Sequence, residues 1–115
     1  MKKAILFTVA AGLSTLFGSL PGGGFAVTQA AETHKVIIRD FAFGPAKLTV
    51  KVGDTVEFVN EDALPHTATQ DAGGGFDTEA LTAGQSKKIT FRKVGVFNYS
   101  CSIHPVMQAV IEVKE

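Results

Sequence analysis

From Val36 to Val113 the chain never keeps one pattern for longer than a short strand, and that rhythm leaves little choice of fold. Val36-Ile37-Ile38-Arg39 and Phe41-Ala42-Phe43 are rich in β-branched and aromatic residues, and Gly44-Pro45 breaks them. Leu48, Val50 and Val52 alternate with Thr49 and Lys51, the period of two that marks a strand with one buried face. Gly53-Asp54 signals a turn, and Thr55-Val56-Glu57-Phe58-Val59-Asn60 resumes the extended pattern. Ile89 and Phe91 share a face opposite Thr90 and Arg92. Val94-Gly95-Val96 turns into Phe97, Tyr99 and Cys101, all of one parity, and Ala109-Val110-Ile111-Glu112-Val113 closes the chain. No stretch has a helical period. Short strands with turn chemistry between them predict an all-β fold, a small antiparallel β-sandwich in a single domain. The glycine run Gly73-Gly74-Gly75 reads as a flexible loop.

The 115 residues do not all belong to that domain. Lys2 and Lys3 precede an apolar run from Ala4 to Leu20, then come Pro21-Gly22-Gly23-Gly24 and the small residues Ala26, Ala30 and Ala31. A basic start, a short apolar core and a small-residue exit describe a secretory signal peptide over 1–31, with the folded domain at 32–115. The core is too short, and its exit too polar, for a membrane span. The full chain carries 11 basic and 11 acidic residues, so loss of Lys2 and Lys3 leaves the domain slightly acidic. No basic patch for nucleic acid survives. A domain this small buries only about 60% of its unfolded surface, and a bound metal would help it.

Cys101 is the single cysteine. An exported protein with one thiol forms no internal disulfide, so that thiol is free or committed to another partner. The segment Cys101-Ser102-Ile103-His104-Pro105-Val106-Met107 sets a thiol, an imidazole and a thioether three residues apart, and it joins the last two strands. A tight loop curls its backbone around one point and turns such side chains toward it. His66, in Pro65-His66-Thr67 after an earlier strand, supplies a second imidazole across the sandwich. Two His, one Cys and a weak axial Met form the blue-copper electron-transfer set, because soft sulfur with imidazole selects copper.

Here the chain resembles the cupredoxins of the plastocyanin and amicyanin type. The residues that carry the resemblance, besides the ligand loop, are Phe41-Ala42-Phe43, Leu48 to Val56, Pro65-His66-Thr67, Ala83-Gly84-Gln85-Ser86 and Gly95 to Cys101. The short gaps between His104 and its neighbours match the amicyanin loop, although Ile103 stands where such loops usually carry proline. The resemblance implies a Greek-key sandwich. It also implies one copper ion held by His66, Cys101, His104 and Met107, shuttling one electron between a redox donor and acceptor. It further implies that Asn60 locks the two loops together by reaching Ser102. Two backbone donors to the Cys101 sulfur are expected, Thr67 and, in place of the missing proline, Ile103; otherwise Ile103 only covers the metal with apolar surface.

Rival chemistries are thin. A Cys101–His104 thiol dyad has no orienting Asn or Asp in a convincing place. Thioether is a poor zinc ligand. Catalytic copper sites need more histidines than His34, His66 and His104, and a dinuclear site needs two cysteines, so an enzyme is not expected. His34 reads as a solvated terminal residue. The remaining alternative is a periplasmic copper chaperone or copper-storage protein, which would present several exposed Met or His donors; beyond the leader Met107 is the only methionine. The expected protein is a periplasmic monomer with no stable membrane anchor. Its partners dock where His104 reaches the surface among Leu64, Pro105 and Val106.

Overall fold

Alternation along the strands places one face of each in a common core, and two sheets pack around it. Residues 30–115 are described, in a computed structural model of the chain. The expected leader lies outside the described residues apart from Ala30 and Ala31. Eight strands follow in order: β1 (Thr33–Arg39), β2 (Ala42–Gly44), β3 (Lys47–Lys51), β4 (Thr55–Asn60), β5 (Thr69–Gln70), β6 (Ser86–Thr90), β7 (Gly95–Ser100) and β8 (Gln108–Lys114). One sheet has the order β2-β1-β4-β6 and the other β3-β8-β7-β5.

The sandwich is thus as the sequence predicts, but its sheets are mixed rather than wholly antiparallel. β1 pairs with β4 in parallel, Val36 opposite Phe58, and β3 pairs with β8 in parallel, Val50 opposite Val113. The remaining pairs are antiparallel. The cause is the pair of breaks at Gly44-Pro45 and Gly53-Asp54, which sends β3 into the opposite sheet. The chain therefore enters β4 in the direction of β1, and a strand serves as the crossover that parallel pairing requires.

Inward-facing residues of both sheets form the core: Val36 and Ile38 of β1, Val56 and Phe58 of β4, Val50 of β3, Tyr99 of β7, and Ile111 and Val113 of β8. Each such side chain taken fully out of water contributes about 1.5–3 kcal/mol. The Tyr99 ring meets Phe43, Phe58 and Phe76 edge-on at 4.8, 5.6 and 5.5 Å. That packing fixes the end of β7, and with it the residue that follows two places on, Cys101. Val52, counted with β3 by its parity, lies beyond the strand and is exposed. Phe41 is not strand either. It turns the chain from β1 to β2, with φ of 54° at Asp40 and 58° at Phe41. The expected glycine loop is a turn in which Gly73 and Gly74 take φ of 75° and 71°. Among the described residues, no helix is long and apolar enough to cross a membrane.

Candidate metal centre

Two chain segments meet at one end of the sandwich. The first leaves β4 at Asn60, and the second leaves β7 at Ser100. Asn60 is fully buried and holds the first segment in shape: its Nδ2 donates to the carbonyls of Leu64 (2.9 Å) and Leu81 (2.7 Å), and its Oδ1 accepts from the Asp62 amide. His66 is clamped to Leu81 by two backbone bonds, His66 N to Leu81 O at 3.1 Å and the reverse at 2.8 Å. In the second segment the Cys101 amide donates to Met107 O, and the Met107 amide donates to His104 O. Those two bonds curl the loop so that its ends meet.

The expected partner for Ser102 was Asn60; the structure gives it Thr67 instead. Thr67 Oγ1 accepts the Ser102 amide at 2.8 Å and lies 3.1 Å from Ser102 Oγ. The Asn60 amide is used up by the carbonyls of Leu64 and Leu81, whereas Thr67 stands beside the second loop. The Thr67 amide donates to Cys101 Sγ at 3.3 Å, as expected. The Ile103 amide does not; Ile103 instead exposes its side chain at the surface.

His66, Cys101 and His104 each bring one donor atom to a common point, all within 4.8 Å of one another. Cys101 Sγ lies 3.7 Å from His66 Nδ1 and 3.8 Å from His104 Nδ1. His66 and Cys101 are fully buried, Met107 almost so, and His104 partly exposed. The other His66 nitrogen, Nε2, is 2.8 Å from Asp62 Oδ2. An ionised carboxylate only accepts, so Nε2 carries the proton and Nδ1 presents its lone pair toward the sulfur. A carboxylate on the outer nitrogen is the usual support for a metal-bound histidine. The Phe41 amide, then the Asp40 amide and His66, hold the Asp62 carboxyl below its ordinary range. One thiol, two imidazole nitrogens and a buried thioether on the same loop form a soft donor set that fits copper.

Sequence reasoning missed Phe41 and Asp62. The Phe41 ring stands edge-on to both His66 (5.0 Å) and His104 (4.9 Å). Only the Asp62-to-His66 spacing hinted at that carboxylate. His34 is not a solvated terminus: it lies in β1, partly buried, with Nε2 at 2.9 Å from Asp54 Oδ2 and 3.9 Å from Glu32 Oε1. The Asp54 carboxylate there is already taken by the Glu32 and Lys51 amides.

Two packed sheets with a buried thiol and two imidazoles converging at one end define a small copper-binding β-sandwich. Residues 30–114 match the family described as copper binding proteins, plastocyanin/azurin family, and the chain belongs to that family. Its cofactor is copper, one ion. Amicyanin of Paracoccus denitrificans is 30% identical over 95 residues, which is 78% of this chain and 72% of that protein. The solved purple cupredoxin of Nitrosopumilus maritimus superposes with a TM-score of 0.66 at 26% identity, covering 70% of this chain and 99% of that one. A copper-containing nitrite reductase of Thermus scotoductus SA-01 superposes with a TM-score of 0.68 at 35% identity. It covers 84% of this chain but only 25% of the enzyme's.

Proposed function

We propose that this chain is an exported, periplasmic electron carrier in which His66 Nδ1, Cys101 Sγ, His104 Nδ1 and Met107 would hold one copper ion. The observation that carries the reading is the convergence of three donors within 4.8 Å around a buried thiol. Bound there, copper supplies a one-electron Cu(II)/Cu(I) couple. The protein's part is to keep the donors where they are in both oxidation states. The Leu81 clamp fixes the His66 backbone, Asp62 fixes its ring and tautomer, and Thr67 ties Ser102 to the opposite segment. The Thr67 amide, aimed at Sγ, holds the Cys101 side chain against the His66 segment.

Transfer to a partner runs through the exposed edge of His104. Leu64 and Val106, 50% and 89% exposed, lie with Pro105 on the segments that carry the two imidazoles. A small apolar contact of this kind suits brief redox encounters, which sit at the low end of interface size. The basic start and apolar run of the leader support export, and the monomer is the working unit. The likeness to the nitrite reductase spans a quarter of that enzyme, and among the described residues one cluster, His66 with Cys101 and His104, combines thiol with imidazole, which supports a carrier.

Cyclic voltammetry of the copper-loaded protein tests the function. A reversible one-electron wave, with copper retained through repeated cycles, is expected. Copper lost on reduction would favour a chaperone and contradict the carrier.

A further inference from the structure

The β1–β2 hairpin turns on two residues, Asp40 and Phe41, between the paired Arg39 and Ala42. Both take positive φ, 54° and 58°. That is the type I′ turn, whose second central position is ordinarily glycine because a side chain there is strained. Asp tolerates the left-handed region; a bulky aromatic seldom does. Strained backbone persists where the surroundings over-determine it, and it gathers at functional sites. Here the surroundings are one carboxylate: Asp62 accepts the Asp40 amide at Oδ1 (2.7 Å) and the Phe41 amide at Oδ2 (3.0 Å). The same Oδ2 accepts His66 Nε2 at 2.8 Å. Arg39 and Glu61, flanking the two segments, pair across the same gap.

The outcome of this strapping is the position of one ring. Phe41 stands edge-on to His66 and to His104, with interplanar angles of 86° and 76°. The two imidazoles lie 5.0 Å apart, centroid to centroid. Phe41 is nonetheless 46% exposed, so core burial does not account for a phenylalanine at a glycine position. His66 is already held by Asp62 and by full burial. His104 is not: among the described residues its ring has no hydrogen-bond partner outside Cys101, and it is partly exposed.

We infer that Phe41 is a positioning residue, a wedge strapped to Asp62 that holds the exposed imidazole of His104 in its ligating orientation before metal arrives and between oxidation states. The inference rests on reading His66 and His104 as ligands, and its test in copper-free protein is independent of that reading.

The test is nuclear magnetic resonance of the His104 ring in the copper-free full-length domain, comparing wild type with Phe41→Gly and Phe41→Tyr. Glycine suits the turn, so Phe41→Gly keeps the hairpin, and an undiminished thermal midpoint verifies it. The expected result is a single His104 rotamer in wild type and Phe41→Tyr, and averaging between rotamers in Phe41→Gly. A His104 ring as ordered in Phe41→Gly as in wild type overturns the inference. Should Phe41→Gly fail to fold, Phe41→Asn, which tolerates the left-handed turn and removes the ring, is read by the same criterion. In the copper-loaded protein, release of copper to a chelator is expected to be about tenfold faster in Phe41→Gly, the scale typical of lost support around metal-bound histidine. An unchanged release rate also overturns it. A wild type that takes up no copper would instead sink the proposed function, leaving the metal-free comparison to decide the wedge.

Discussion

Thr67 ties the two ligand segments together with two groups of one residue. Its amide faces the Cys101 sulfur, and its hydroxyl meets the Ser102 amide, Ser102 Oγ and Thr69 Oγ1. Thr67→Ala removes only the hydroxyl and leaves the Ser102 amide without its acceptor. A loss of about 1 kcal/mol is expected, with Thr67→Ser keeping most of it, in urea unfolding of the copper-free protein. Equal midpoints for Thr67→Ala and wild type would show the hydroxyl to be idle. At this scale the sequence was legible where chemistry is scarce. A lone thiol with His104 and Met107 at fixed spacing admits few uses, and the Thr67 amide was placed correctly on the sulfur. It was not legible where several polar groups compete for one partner. Asn60 and Thr67 are both near Ser102 in the chain's logic, and only the strand-end geometry decides that Thr67 reaches it. The high β propensity of Phe41 predicts strand; the carboxylate of Asp62, distant in sequence, overrides that preference.

Among the elements, the β3–β4 turn is fastened by Asp54, whose carboxylate accepts the Glu32 amide, the His34 ring and the Lys51 amide. Those bonds, the Glu32 amide first, lower its pKa from 3.8 to about 2. A folded-state pKa below the unfolded one means the unfolded chain binds the proton more tightly. The stabilisation is therefore present in full above about pH 4 and is lost as pH falls through the folded value. Asp54→Asn is expected to cost up to about 2 kcal/mol at neutral pH. It should also flatten the fall of stability between pH 4 and pH 2, measured by urea unfolding of the copper-free protein. A wild type and variant with parallel pH profiles would contradict the role given to Asp54. Strand positions were legible from alternation, since Val36, Ile38, Val56, Phe58, Ile111 and Val113 all turned out buried. The parallel pairing of β1 with β4 was not legible. Turn signals mark where a strand ends, not into which sheet the next one goes.

For the whole molecule, the exposed large hydrophobics among the described residues fall in two sets, Val52, Val94 and Val96 on other segments and four near the histidines in sequence or space. Phe41, Leu64, Ile103 and Val106 are all exposed large hydrophobics on segments that carry or cover the imidazoles. A buried charge at such a contact opposes association without touching the donors. Leu64→Glu and Val106→Glu are expected to slow bimolecular electron exchange with a cognate redox partner while leaving the visible spectrum unchanged. Rates equal to wild type in both variants would move the docking face elsewhere. The sandwich and the copper chemistry were both readable in advance, because a short chain with one thiol and alternating strands has few other solutions. The place of Phe41 against both imidazoles was not readable, because the turn that carries it meets the two histidine segments only in three dimensions.

The central claim is that the buried Cys101 thiolate, with His66 and His104 beside it, holds copper. Visible absorption during titration of Cu(II) into the copper-free protein tests it most directly, with Cys101→Ser run alongside. An intense blue thiolate-to-copper band that saturates at one equivalent in wild type, and is absent in Cys101→Ser, is the expected result. A pale or colourless wild-type adduct, or a blue band that survives in Cys101→Ser, would contradict it.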